Sequence, residues 1–251
     1  MHYVIGDIHN DLKKLKQILK QINITRDDEL IVLGDVFDRG GETADPFGVY
    51  CALAGLQGKC SWIRGNHDDW LANYTYEYFN TPEKKRHKLA PYGYNSFELL
   101  RQRITEVDMR NIADLIKGLP LQKELELEGK KYLCFGGTES PDKEEREAGY
   151  NWWPQEMPSD EEYAACEANL EANGWQVDYV LTHDAPSRFL DFTSLAVGES
   201  NRLHLFLDKI LLKLTYEKWF FGCYHKDVAL STKSRCVFCD VIPMGERHAK
   251  R

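Results

Sequence analysis

The first third of the chain alternates short apolar runs with amphipathic stretches. YVIGD (Tyr3 to Asp7), ELIVLGD (Glu29 to Asp35) and CSWIRGNHD (Cys60 to Asp68) are runs of strand length, each closing on glycine and polar residues. Between the first two lies DLKKLKQILKQI, whose Leu12, Leu15, Ile18, Leu19 and Ile22 recur at helical spacing. FGVYCALAGL predicts a second helix before the third run. This strand–helix–strand–helix–strand order implies a parallel sheet with helices packed on it. Ligands of such sheets gather at the carboxyl ends of the strands, and all three ends here carry Asp, His or Asn.

The pattern changes after Asp68. Residues 68–118 read as a helical, irregular insertion rich in aromatics (Trp70, Tyr74, Tyr76, Tyr78, Phe79), with a basic run, EKKRHK, typical of a solvated helix or loop. LPLQKELELEGKKYLCFGG alternates as a hairpin turning near Glu128 and Gly129. A polar excursion occupies 138–174, and SDEE within it reads as a capping box opening a helix that ends at Asn173 and Gly174. Arg146, Trp152 and Trp153 of the excursion are open to two readings: a substrate-side wall with Arg146 as a phosphate fork, or the clasp of a surface loop. VDYVLTHDAP predicts a strand ending at His183, Arg202 to Leu214 a helix, WFFG a strand and CVFCDVI a last strand. If the WFFG strand continued, Cys223 and His225 would share one face. There is no internal repeat or linker, so residues 1–251 are expected to form one domain.

Composition narrows the class. With 251 residues, 43% hydrophobic and 29% charged, the chain suits one sizeable globular domain. No run approaches the roughly 18 apolar residues of a membrane span, and the opening residues lack the marks of a signal peptide. A cytoplasmic location without membrane association is therefore expected. The net charge of −8 argues against duplex nucleic acid as a partner but allows a phosphorylated small molecule, nucleotide or phosphoprotein. Seven cysteines without a regular framework suit free thiols, and the lone Cys236–Cys239 C-x-x-C is a weak zinc signal.

The chemistry lies in the strand-end residues Asp7, His9, Asp35, Asn66, His67, His183 and His225. Each alone has an ordinary structural reading. Together, their nitrogen and oxygen donors suit Mn, Fe or Zn better than Ca. Two-metal hydrolysis needs such a set, with one carboxylate bridging cations about 3.5–4 Å apart. Asp35 fits the bridge, and His67 is placed to protonate a leaving oxygen.

The series GDIHN, GDVFDRG, RGNHD, LTHDAP and GCYHKD resembles the motifs of the calcineurin-like metallophosphoesterase superfamily. The segments up to Asp68 resemble its serine/threonine protein phosphatase branch most. The resemblance implies an α/β fold of four layers, αββα, holding two divalent metal ions (Mn, Fe or Zn). It implies phosphate-ester hydrolysis by a metal-bound hydroxide. Residue by residue, Asp7 and His9 match first-metal ligands, Asp35 the bridge, Asn66 a second-metal ligand and His67 the general acid. Asp38 matches the acid orienting His67, and Arg39 the arginine holding phosphate, with Asn66 and His67 also facing substrate. His183 matches a second-metal ligand and His225 a first-metal ligand.

Three positions depart from the pattern. Cys223 stands where the family has a histidine on the second metal, and a thiolate there still suits zinc. Asn10 replaces a glycine. Phe135 occupies the histidine position of a His-Gly-Gly segment, so the ligand role falls to His183. The expected activity is monoester hydrolysis. The alternatives are a phosphodiesterase or dinucleoside-polyphosphate hydrolase, and a binding protein weakened in catalysis at Cys223.

Overall fold

A computed structural model describes residues 1–244 except 120–121, 128, 141, 149–151, 192, 194 and 196–198, and of 122–127 only the backbone. Strands β1 (His2–Ile5), β2 (Glu29–Val32) and β3 (Lys59–Trp62) run parallel in one sheet, and β10 (Ile242–Met244) pairs antiparallel with β1. A second sheet has the order β4 (Gln122–Leu127), β5 (Lys130–Phe135), β6 (Tyr179–Thr182), β7 (Lys218–Phe221), β9 (Ser234–Cys236) and β8 (Val228–Ala229). Pairing from β5 through β9 is parallel, with β4 and β8 antiparallel at the edges.

The strands read as continuous apolar runs because both faces are covered. Successive side chains alternate between faces, which explains three separate cores. Tyr3, Ile5, Leu30 and Val32 pack against α1 (Leu12–Ile22), α2 (Pro46–Ala54), α3 (Asn66–Asn80), α5 (Ser96–Arg101) and α6 (Glu106–Gly118). Leu133, Phe135, Val180, Trp219 and Phe221 pack against α7 (Asp160–Ala172) and α9 (Arg202–Lys213). Val4, Ile31, Leu33, Tyr132, Cys134, Leu181 and Phe220 face one another between the sheets. The result is the expected αββα sandwich. The short helices α4 (Glu83–Arg86) and α8 (Ser187–Leu190) complete the described α-helices, and no described helix is long and apolar enough to cross a membrane.

Local signals act as their chemistry requires. Asp11 caps α1 by accepting from Lys14 N at 2.9 Å. Ser159 and Glu162 form the capping box of α7, and Gly129 turns the β4–β5 hairpin at φ 76°; Glu128 lies outside the described residues.

Two sequence expectations need correction. Strand β7 stops at Phe221, and Cys223 (φ 66°) and His225 (φ 50°) lie beyond it in left-handed conformations. The strand-face argument for this pair therefore fails, since the two-residue period ends with the strand. CVFCDVI is not one strand either. The Asp227 carboxylate accepts from the amides of Phe238, Cys239 and Asp240 at 2.8–2.9 Å, bending the chain so that β9 and β10 join different sheets. Cys236 is buried there and Cys239 exposed.

Candidate active site

The loops after β1, β2, β3, β6 and β7 converge at one edge of the sandwich, carrying side chains from both sheets. Asp7 and His9 follow β1, Asp35 follows β2, and His183 follows β6. Asn66 and His67 are the first residues of α3, one turn beyond β3.

His9 Nε2 and His225 Nε2 face each other at 2.9 Å. Asp7 Oδ2 lies 3.0 Å from His225 Nε2 and 3.9 Å from His9 Nε2. Among the described residues, Asp7, His9 and His225 form a cluster with potential ligand atoms within 4.8 Å of one another. Asp35 Oδ2 extends the group, 3.9 Å from His9 Nε2 and 3.6 Å from His183 Nε2. His183 Nδ1 is 2.6 Å from the Leu33 carbonyl, to which it donates, so Nε2 is turned toward Asp35.

The donor set suits a borderline divalent cation, and its electrostatics point the same way. Burial opposes the charge on Asp7, yet the His225 hydrogen bond and the charges of His183 and His9 hold its pKa down at about 2. Burial likewise opposes the charge on His183, but the Asp35 carboxylate and Cys223 raise its pKa well above the usual value. This corner attracts positive charge at Nε2, which a metal can supply in place of a proton. Cys223 lies beside it, its thiol pushed up to about 11 by burial, with Sγ 3.6 Å from Thr138 Oγ1.

His67 stands next to this group. Its Nδ1 lies 3.3 Å from Asp38 Oδ2, which also accepts from Tyr92 OH at 2.5 Å. Arg39 Nε reaches His67 Nε2 at 3.3 Å. Burial pushes the His67 pKa well below its ordinary value and that of Asp38 up to about 7.

The loops are held in costly conformations. His9, Asn10, Asp35, Asp38, Arg39, Cys223 and His225 all have positive φ, each costing about 1–3 kcal/mol for a non-glycine residue. Hydrogen bonds over-determine them. The Asp35 carbonyl accepts from Ile8 N and His9 N at 3.0 Å each, and Asn10 Nδ2 donates to Ser96 Oγ at 2.8 Å. Asn10 thus occupies a left-handed position where a glycine would fit, and its side chain ties the loop down. Two glycines make room for carboxylates. A Cβ at Gly65 would lie 2.1 Å from Asp35 Oδ1, and one at Gly222 2.7 Å from Asp7 Oδ1.

A cleft of about 530 Å³ opens over the group, lined by Asp35, Arg39, Asn66, His67, Trp70, Arg146, Cys223 and His225 among others. Arg146 lies over Trp70, 4.9 Å from its ring centre, and donates to Tyr94 OH at 3.0 Å and to Asp142 at 2.6 and 2.7 Å. Trp153 instead packs into the helix-side core, and Trp152 Nε1 donates to Glu156 at 2.7 Å, so both tryptophans act as a clasp.

Sequence patterns did not single out several residues that shape this site. The buried Asp68 accepts from Val36 N, Phe37 N and Gly65 N at 2.9–3.2 Å, tying the second and third motif loops together. Its place in GNHD was the available signal. Asp184 accepts from Thr138 Oγ1, His204 Nε2 and Tyr224 OH, and Glu156 holds Ser140. Phe135 is 1% exposed and packs on Tyr163 and Phe206, facing away from the site.

The sequence profile of the calcineurin-like phosphoesterases matches residues 3–218. The chain belongs to the calcineurin-like phosphoesterase family. No curated protein sequence matches it. Among solved structures, it is similar to a serine/threonine phosphatase from Saccharomyces cerevisiae described as similar to human phosphatase PP5. That match has 16% identity and a TM-score of 0.48, covering 94% of this chain and 66% of the other. A putative diadenosine tetraphosphatase matches at 20% identity and a TM-score of 0.37, covering 55% of this chain and 50% of the other. The protein TT1561 of Thermus thermophilus matches at 12% identity and a TM-score of 0.44, covering 95% of this chain and 89% of the other. The phosphoesterase thus spans 66% and 50% of the lengths of the first two.

Proposed function

We propose that this phosphoesterase hydrolyses phosphate monoesters with a pair of divalent cations. Asp7, His9 and His225 would hold the first and Asn66, His183 and Cys223 the second, with Asp35 between them. Such cations, when bound, stabilise the developing phosphoryl charge and lower the pKa of water. The observation that carries the reading is the contact of Arg39 Nε with His67 Nε2 at 3.3 Å, beside the carboxylate–imidazole cluster. It supports a reading in which Arg39 binds phosphate beside the imidazole nitrogen that would carry the proton. Arg39 lines the cleft, and a planar guanidinium pairs with two phosphate oxygens at once; Arg146 also lines it, with its two-nitrogen edge already given to Asp142. His67 Nε2 accepts from Arg39 here; once a substrate phosphate draws the Arg39 N–H groups to itself, Nε2 is free to carry a proton to the leaving oxygen, while Asp38 fixes the ring through Nδ1.

A substrate panel tests the specificity: an aryl or alkyl monoester, a bis-ester and a dinucleoside tetraphosphate, each assayed with Mn and Zn. The monoester is expected to give the highest kcat/KM. Preference for either other substrate would overturn the monoester reading and favour the phosphodiesterase or dinucleoside-polyphosphatase alternative. His67→Ala should lower kcat by about 10²–10⁴-fold with metal content unchanged, and full turnover in that variant would remove His67 from the mechanism. Elemental analysis after reconstitution should give two metals per chain and one in Cys223→Ala. Two in both would make the cysteine a bystander, and one or none in the parent chain would sink the two-metal reading.

A further inference from the structure

The polar excursion after β5 returns to the site through three buried side chains. Asn66, Ser140 and Glu156 are 6%, 3% and 1% exposed. Asn66 Nδ2 approaches Ser140 Oγ at 3.5 Å, the long end of hydrogen bonding. Ser140 Oγ donates to Glu156 Oε2 at 2.8 Å, and Ser140 N donates to Oε1 at 2.7 Å. Trp152 Nε1 donates to the same Oε1 at 2.7 Å.

Proton counting gives this chain a direction. A carboxylate only accepts, so the single hydroxyl proton of Ser140 points at Glu156. Ser140 Oγ then has only lone pairs left for Asn66, which must present its NH₂ group. That choice leaves the carbonyl oxygen Oδ1 as the end of the amide free to face the cleft, where Asn66 is part of the lining beside Asp35. An amide turned the other way would offer a cation two N–H groups and no lone pair.

We propose that Glu156, acting through Ser140, is a positioning residue that holds the Asn66 amide with its oxygen toward the second cation. The proposal rests on Asn66 being a ligand of that cation. It gives the 138–157 segment a task at the metal site, set by a carboxylate that does not line the cleft.

The test is binding of Mn²⁺ to metal-stripped protein by titration calorimetry, with thermal unfolding measured in parallel. Glu156 titrates at about 7 because burial raises it, so the buffer is set about one pH unit higher to keep it ionised. Ser140→Ala keeps the backbone bond to Glu156 and removes the relay. It should weaken the second equivalent by about 10–100-fold, and Ser140→Thr should restore it. Glu156→Gln should weaken it too. Its Oε1 is held by two N–H donors, so its NH₂ faces Ser140, reversing the hydroxyl and turning the Asn66 oxygen away. Trp152→Phe removes a different bond to Glu156 and should lower the melting temperature with the second equivalent unmoved. Unchanged affinity in Ser140→Ala or Glu156→Gln, with loss in Asn66→Ala, would overturn the relay alone. Unchanged affinity in Asn66→Ala would overturn the ligand reading and the relay with it. An equal loss in Trp152→Phe would make the effect one of general packing and overturn the relay.

Discussion

Gly65→Ala tests the position of Asp35 and of the loop that its carbonyl holds. Gly65 has φ −87° and ψ 172°, extended backbone that alanine adopts without strain, so the substitution acts through its methyl group alone. That methyl would sit 2.1 Å from Asp35 Oδ1 and 2.4 Å from Asp35 N. Ordinary contact begins at 3.4 Å, so the carboxylate must retreat by about 1.3 Å (3.4 − 2.1) and the backbone by about 1.0 Å (3.4 − 2.4). Overpacking of this kind costs about 1–3 kcal/mol, or a fall in melting temperature of about 2–12 °C at about 2–4 °C per kcal/mol. A displacement of about 1 Å at a reacting centre costs about 10²-fold in rate. The expected result is therefore a folded protein with kcat near one-hundredth of the parent value. Steady-state hydrolysis of a chromogenic monoester at saturating Mn, with circular dichroism melting, measures both. Gly118→Ala is the control, because nothing lies within 4 Å of its Cβ. A folded Gly65→Ala protein turning over within about threefold of the parent would refute the argument that Asp35 must stand where it does.

The other predictions test separate parts of the molecule. Burial would lower the His204 pKa, but its hydrogen bond and ion pair with Asp184 raise it above the ordinary value. The folded pKa then exceeds the unfolded one of about 6.5, so this stabilisation is full below about pH 6.5 and fades as pH rises through the folded value. Urea denaturation should show His204→Ala destabilising more at about pH 6 than at about pH 9, and equal losses would rule out a charged His204. Phe97 is fully buried, with ring centres 4.8 Å from Tyr74 and 4.9 Å from Tyr78. Phe97→Ala should cost about 3–5 kcal/mol by urea titration, and a loss under about 1 would mean that this insertion is peripheral to the fold. Arg39→Lys keeps the charge but loses the planar fork, so kcat/KM for a monoester should fall about tenfold or more, and no change would remove bidentate phosphate binding from the mechanism.

Much of the fold was legible because both sheets are covered on both faces. Tyr3, Val4 and Ile5 all had to be apolar, whichever core each enters, and such runs stand out in sequence. The strand-end residues were legible because a parallel sheet delivers successive loops to one edge. What stayed hidden depends on contacts that leave no local period. Nothing in the order of residues says that Glu156 reaches back to Ser140, or that Asp227 folds three amides around itself and breaks CVFCDVI. Cys223 and His225 were assigned a shared strand face because the left-handed turn after Phe221 has no glycine at either position to announce it. Nor did any pattern single out Asp68, whose three accepted amides are visible only once the two loops meet.

The group at the sheet edge draws on both ends of the sequence: His9 and His225 touch across 216 positions. A ribosome extending a chain at about 5–20 residues per second takes roughly 10–40 s to make the second after the first. Throughout that interval the early half can display Asp7, His9, Asp35 and Asn66 but not the His225 contact that completes the cluster. If His225 is a ligand as proposed, an interrupted translation product lacks part of the site, and activity would report that synthesis has passed His225.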